Sequence, residues 1–156
     1  VRRRPRLRCR AARRRRSTST RRAVSGCRRN RDRTYTSTGG TAGRPVTNAV
    51  LRLHVASAAG AASDSKGRVH RSACGWTEST LTGTTRPQPA IDAIVLDAPA
   101  GSAVAGQVVD FEVTGAVTAG DGTYCLALDT TSSNGVQYDS REAGGGGPTV
   151  LVTVAP

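Results

Sequence analysis

The residue types that perform catalysis or bind metals occur in this chain, but they are not grouped into a motif. The two histidines, His54 and His70, are isolated, and we expect both rings on the solvated faces of strands. Asp110 and Glu112 are two residues apart, which fits the exposed face of a strand and not a general acid–base pair. No nucleophile-elbow, zinc-protease or phosphate-loop pattern occurs. The sequence therefore predicts a chain without a catalytic site of its own.

The cysteines leave two interpretations open. None of the four belongs to a Cys-x-x-Cys pair, and the histidines stand at no zinc-binding spacing from them. Two cysteines lie in the arginine-rich beginning of the chain. The other two, Cys74 and Cys125, form a disulfide if the fold brings them together in an oxidising compartment. Otherwise they are two small buried thiols.

Short runs of alternating apolar residues must position these side chains. The runs cover residues 46–55, 107–113, 123–130 and 149–154. Period-2 alternation is typical of strands with one buried and one wet face. Glycine-rich and Asp-Gly or Asn-Gly segments separate the runs, and such dipeptides favour tight hairpins with positive φ. With one helical turn at 114–118, this pattern predicts an all-β, jelly-roll-like sandwich.

Charge divides the chain into two unequal parts. The first 34 residues contain 16 arginines and one acidic residue, Asp32, a net charge of +15, whereas the remaining 122 residues have a net charge of −3. A literal interpretation is a disordered basic arm that binds nucleic acid through phosphate neutralisation. It has no aromatic residue on which bases would stack. The charge of the body gives no support for nucleic-acid binding.

The processing state of the chain is a further expectation. The sequence begins at Val1 and contains no methionine, as expected of a processed chain or a piece of a longer protein. It has no apolar stretch of membrane-spanning length, and no apolar h-region follows the basic N-terminus as in a signal peptide.

Three ordered segments of the body resemble one family. They are Trp76-Thr77-Glu78 with Arg86-Pro87, then Asp110-Phe111-Glu112 leading to Asp121-Gly122, and last Ser140-Arg141-Glu142-Ala143 before the final strand. Over residues 39–156 the chain is similar to the DNRLRE-type domain, also described as the family 96 carbohydrate-binding module. The resemblance implies a β-sandwich module of secreted bacterial or archaeal surface proteins and polysaccharide-active enzymes.

The chain departs from this family at its beginning. Family members have an early strand that reads approximately Ser-Tyr-Leu-Arg-Phe-Asp, where this chain has arginines. Back-translated residues 32–38, read from the third base, permit Ser, Tyr, Leu, His, Phe and Asp in order. We therefore hypothesise that residues 1–38 are either a disordered arm or an out-of-frame translation of a GC-rich gene. The second case predicts a sandwich that lacks its first strands, with unpaired sheet edges.

The resemblance also implies a set of sugar contacts. Trp76, the only tryptophan, is the candidate for stacking on a pyranose ring, with Arg141 and Tyr138 beside it. A structural alternative is that Trp76 covers the core. Another is that Arg141 or its strand neighbour is buried in an ion pair with Glu78 or Asp139. The residues expected to have a structural role are Glu78, Arg86, Ser140 and Glu142.

No cofactor is expected from the sequence. Calcium occurs in many jelly-roll modules and needs several oxygen ligands. Asp121 and Asp139 have suitable carboxylates, although both also suit ordinary turns.

Three functions follow from these observations. The first is a non-catalytic, extracellular polysaccharide-binding module. The second is a spacer or adhesive repeat of a surface protein without its own ligand. The third, from the basic arm alone, is nucleic-acid binding.

Overall fold

The computed structural model describes residues 40–75 and 90–156. The predicted site residues Trp76, Glu78 and Arg86 lie outside these ranges, as does the arginine-rich segment 1–38. The elements are β1 (Val46–His54), β2 (Arg68–Ser72), β3 (Ile91–Asp97), β4 (Val108–Glu112), α1 (Thr114–Val117), β5 (Leu126–Asp129), a 3-10 turn (Gly144–Gly146) and β6 (Thr149–Val154).

The strands form two antiparallel sheets. The first sheet has the order β4-β1-β6 and the second has the order β3-β2-β5. In the first sheet Arg52 lies between Asp110 and Thr149, and Val50 lies between Glu112 and Leu151. The prediction of an all-β sandwich is confirmed.

Within residues 40–75 and 90–156, an apolar core joins the two sheets. Leu51 and Leu53 of β1 and Phe111 of β4 are fully buried, and they share the core with Val69 of β2 and Leu126 of β5. Along β4 buried and exposed residues alternate strictly. The period-2 prediction is therefore confirmed for this strand, because one of its faces meets the core and the other meets water.

Strands β2 and β3 lie in segments where the alternating pattern predicted no strand. Val69 is the only aliphatic residue of β2, and β3 is largely exposed, with Ile94 exposed to 69%. The two strands pair with each other with register shifts. Neither therefore has the regular alternation from which the other strands were predicted.

The predicted hairpin dipeptides do not form left-handed turns. Asp121-Gly122 and Asn134-Gly135 are absent from the residues with positive φ in the described ranges. Both lie in longer connections, where no tight two-residue reversal requires positive φ. Instead, an Asp121 carboxylate oxygen accepts hydrogen bonds of 2.7 Å from the backbone N–H and the hydroxyl of Thr41. The predicted helical turn is present as α1.

The described part of the chain has no helix that is both long and apolar enough to cross a membrane.

Candidate functional site

Tyr138, a predicted sugar contact, lies in the core. Its side chain is 4% exposed, and its ring packs edge-to-face against Phe111 with the centroids 6.3 Å apart. Its hydroxyl donates a 2.8 Å hydrogen bond to the carbonyl of Lys66. A ring in this position has no open face for a pyranose, so the structure gives Tyr138 a packing role.

The segment around Arg141 is an exposed turn and not a strand. Arg141 Nε donates to Glu142 Oε1 over 3.2 Å, with the two side chains 40% and 57% exposed. The expectation that Arg141 or its strand neighbour is buried is wrong, because the chain forms a turn here and both residues are exposed. Ser140 accepts the N–H of Ala143. Arg141 lies close to Gly147, two residues before β6.

The two body cysteines are joined. Cys74 and Cys125 form a disulfide with their Cα atoms 5.4 Å apart. Cys125 directly precedes β5, and its carbonyl also accepts the N–H of Ser72 at the end of β2. The disulfide therefore links two neighbouring strands of the second sheet at one end.

The two candidate calcium ligands, Asp121 and Asp139, have different surroundings. Asp121 accepts from Thr41, and the Asp139 carboxylate lies against the 3-10 turn, 2.7 Å from the place that a Cβ on Gly146 would occupy. Among residues 40–75 and 90–156, no three His, Cys, Asp or Glu side chains come together as metal ligands would.

His70 is buried, so its predicted position on a solvated face is wrong. Only 5% of the residue is exposed. Nδ1 lies 2.9 Å from the carbonyl oxygen of Asp92, and Nε2 lies 3.1 Å from Asp129 Oδ1. Arg68 donates to both oxygens of the same carboxylate, at 2.9 and 2.6 Å. The cluster joins the three strands of the second sheet, and the one-strand pattern around His70 contained no signal of it.

The face of the first sheet that points away from the core, here named the outer face, is polar and exposed. Its side chains alternate with the buried residues of β1 and β4. The outer face consists of Asn48, Val50, Arg52 and His54 of β1, Val108, Asp110 and Glu112 of β4, and Thr149, Leu151 and Thr153 of β6.

An ion pair fixes the middle of the outer face. Arg52 Nε and Nη2 each donate a 2.7 Å hydrogen bond to Asp110, one to each carboxylate oxygen. Both side chains are 43% exposed. These hydrogen bonds from Arg52 hold the pKa of Asp110 below its usual range. The pair is therefore ionised at neutral pH and has a defined orientation toward solvent.

Hydrogen bonds also fix the side chain of Glu112, which lies two residues beyond Asp110 on the same face of β4. Its carboxylate accepts from the hydroxyl and the backbone N–H of Thr114 and from Asn48 Nδ2, the last at 2.8 Å. Hydrogen bonds from Thr114 are the main reason that the pKa of Glu112 is lowered. A further carboxylate, that of Asp97 in β3, accepts the Glu112 N–H over 2.8 Å.

The outer face therefore presents oriented donors and acceptors on rigid strands. Positions two residues apart on a strand are separated by about 6.8 Å, and neighbouring strands by about 4.8 Å. This arrangement suits a ligand with many hydroxyl groups spread along a chain. The sequence had predicted Asp110 and Glu112 on an exposed strand face but had given them no ligand role.

Comparison with known proteins identifies the class of ligand. Residues 29–154 match the sequence profile of carbohydrate-binding module family 96. The chain belongs to this family. No curated protein and no solved structure matches the chain.

Membership of family 96 confirms the resemblance that the three sequence segments indicated. The match begins at residue 29, inside the arginine-rich segment and before the predicted boundary at residue 39. Modules of this kind are non-catalytic binding domains, which is compatible with the expectation of no enzymatic activity. The chain is thus a carbohydrate-binding module of the β-sandwich type.

Proposed function

We propose that this family 96 module binds polysaccharide as a non-catalytic part of an extracellular protein, and that the outer face of the first sheet is its binding surface. Family membership supports carbohydrate as the ligand class. The observation that supports the outer face is its pair of fixed polar contacts, Arg52–Asp110 and Asn48–Glu112.

The physical basis is preorganisation. Sugar hydroxyls both donate and accept, and hydrogen bonds to ionised groups are stronger than those between neutral groups. Side chains that are already held by neighbours lose little conformational freedom when a ligand binds. Since Arg52 and Glu112 are held in this way before any ligand arrives, binding costs little ordering entropy.

A matched pair of double variants tests the location. Arg52→Ala with Asp110→Ala removes the outer-face ion pair, whereas Arg68→Ala with Asp129→Ala removes the equivalent bidentate pair from the second sheet. Binding of the full chain to immobilised polysaccharides is measured in about 0.5 M NaCl, which screens the arginine-rich segment. We expect the first variant to bind roughly tenfold or more weakly, as for loss of a charged hydrogen bond.

The controls separate folding from binding. Circular dichroism establishes that each variant is folded, and the second-sheet variant is expected to bind like the wild type. Equal weakening by both double variants would refute the outer face as the binding surface. Loss of binding in Arg141→Ala alone would place the sugar at the turn before β6. The contacts predicted from the sequence, Trp76 and Arg141, are the alternative location for the sugar.

One further function has a specific observation in its favour. The +15 charge of residues 1–34 supports salt-dependent binding of nucleic acid. Retardation of DNA by the full chain, lost when residues 1–33 are deleted, would support that function. A chain that binds neither polysaccharide nor DNA would instead fit the spacer alternative.

A further inference from the structure

We propose that Asn134 is a site of spontaneous deamidation, and that its conversion to isoaspartate separates the chain that follows β5 from the buried residue Ser63. This inference goes beyond the proposed function, because it concerns a covalent change of the chain and not its ligand. It holds whether or not the module binds sugar through the outer face.

The chemistry belongs to the Asn134-Gly135 pair. The deprotonated backbone nitrogen of Gly135 attacks Cγ of Asn134, a C–N bond forms, and the side-chain nitrogen leaves as ammonia. The product is a five-membered succinimide ring. Water then opens the ring at either carbonyl, which gives aspartate or isoaspartate. Glycine favours ring closure because it has no Cβ to obstruct the attack and reaches the widest range of backbone angles.

The fold leaves the reacting groups of Asn134 and Gly135 unrestrained. Asn134 is exposed, and Gly135 lies in neither a helix nor a strand. With residues 40–75 and 90–156, the side chain of Asn134 and the N–H of Gly135 form no hydrogen bond. Rotation about the bonds of this pair therefore brings the nitrogen to Cγ without breaking a contact in that part of the chain.

Asn48, the other asparagine in the described ranges, is restrained and serves as an internal control. It lies within β1, and its Nδ2 donates a 2.8 Å hydrogen bond to Glu112. The next residue is Ala49, whose N–H donates over 2.7 Å to Thr114 Oγ1. Attack by the Ala49 nitrogen would break this hydrogen bond and distort a paired strand, so the fold opposes the reaction at Asn48.

The backbone carbonyl of Asn134 anchors the chain that follows β5. It accepts a hydrogen bond from the hydroxyl of Ser63, which is only 5% exposed, and another from Ser132 over 3.2 Å. The same two hydroxyls lie 3.3 and 2.5 Å from Asp64 Oδ1. Each hydroxyl has one proton to donate. Two protons thus serve two acceptors, of which only the Asp64 carboxylate is charged.

Isoaspartate changes this anchor. Its main chain runs through Cβ and Cγ, which adds a methylene group to the backbone, and the former backbone carbonyl of residue 134 becomes a free carboxylate. That carboxylate would lie beside Asp64 and compete for the same hydroxyl protons, and neighbouring like charges repel. Aspartate, in contrast, keeps the backbone carbonyl and places its new charge on an exposed side chain. Isoaspartate alone should therefore loosen the anchor.

Incubation of the folded full chain at mildly alkaline pH tests the reaction. Peptide mass spectrometry locates the deamidation, and enzymatic methylation of the free α-carboxylate distinguishes isoaspartate from aspartate. We expect Asn134 to react and Asn48 to stay intact, at a rate that rises with pH because the attacking nitrogen must lose its proton. Gly135→Ala should react roughly tenfold or more slowly, and alanine fits because Gly135 has no positive φ. Reaction of Asn134 only after unfolding in urea would overturn the proposal.

Urea unfolding tests the consequence for the anchor. Ion-exchange chromatography separates the deamidated chains, and circular dichroism follows their unfolding. We expect the isoaspartate form to unfold at a lower urea concentration than the unmodified chain. Asn134→Asp, which reproduces the aspartate product, should unfold close to wild type. An equal loss in both, or an isoaspartate form as stable as the unmodified chain, would overturn the anchoring role of the Asn134 carbonyl.

Discussion

His70 shows how one side chain ties together a sheet with irregular edges. It lies on the central strand β2, while its two ring nitrogens lie beside Asp92 of β3 and Asp129 of β5. Both neighbouring strands pair with β2 over only a few residues, and β3 does so with register shifts. The ring therefore adds side-chain contacts where the backbone ladder is short.

Replacing His70 should reduce stability. His70→Ala removes the ring that contacts the Asp92 carbonyl and one Asp129 oxygen. We expect the free energy of unfolding to fall by about 1–3 kcal/mol, as is typical of buried groups that lose a hydrogen-bond partner. Urea unfolding followed by circular dichroism measures the change. His54→Ala on the half-exposed outer face is the control, and should shift stability by no more than about 0.5 kcal/mol. Equal losses in the two variants would contradict the structural role of His70.

The pH dependence of the free energy of unfolding should show the contribution of the Asp129 carboxylate. Hydrogen bonds from Arg68 hold its pKa below the usual range, so its contribution is complete above the unfolded value of about 3.9 and is lost as the pH falls through the lower folded value. Asp129→Asn should therefore be less stable than wild type at pH 7, and the difference should shrink below about pH 4. Urea unfolding across this range measures it, and a pH-independent difference would contradict the assignment.

For single residues, the sequence predicted exposure correctly where it depends on the adjacent residues of the same strand. Asp110 and Glu112 are exposed on β4 because Phe111 between them is buried, as alternation requires. The His70 cluster escaped prediction, since its partner Asp129 is 59 residues away. Tyr138 looks like a surface aromatic in sequence, and only the packing of Phe111 shows it to be a core residue.

At the scale of elements, Gly67 permits the close approach of the start of β2 to β5. Gly67 has φ +85°, and a Cβ there would lie 2.9 Å from the backbone oxygen of Asp129. Gly101 has the same φ with nothing within 4 Å of its Cβ position. The two glycines thus share a left-handed backbone conformation that would strain any L residue, and they differ only in the close approach.

Alanine substitutions at these two glycines should separate the two effects. Gly101→Ala should cost about 1–2 kcal/mol, the penalty of a left-handed conformation. Gly67→Ala should cost clearly more, because β2 and β5 must also move apart. Thermal and urea unfolding of both variants measure the costs, and equal costs would show that the strand spacing is not limited at Gly67.

Strands were predicted most accurately where one face of the strand is buried and the other is exposed. Strands β1 and β4 coincide with alternating runs, because their residues face the core and water in turn. Strand β6 also coincides with a predicted run, although none of its residues is buried. Strand β5 is buried at three consecutive residues, and its predicted range was longer than the strand. The register of β2 and β3 depends on bulges that no local pattern encodes.

For the whole molecule, the disulfide closes a large loop. Cys74 and Cys125 are 51 residues apart in sequence, and the intervening chain includes β3, β4 and α1. In the loop-entropy treatment a bridge of this span stabilises the folded state by about 4 kcal/mol. The variant Cys74→Ser with Cys125→Ser should lose a free energy of unfolding of that order. Urea unfolding measures this loss, and a wild-type chain unaffected by reductant would contradict the expectation.

The central claim is that a family 96 module binds sugar through the outer face of its β4-β1-β6 sheet. Chemical-shift mapping by nuclear magnetic resonance, during titration of the isotope-labelled full chain with an oligosaccharide from a polysaccharide that it retains, tests it most directly. We predict the largest amide shifts at Asn48, Arg52 and Glu112, with small shifts at Arg68 and Leu128 of the second sheet. Shifts that cluster on the second sheet, or that are absent at saturating sugar, would contradict the claim.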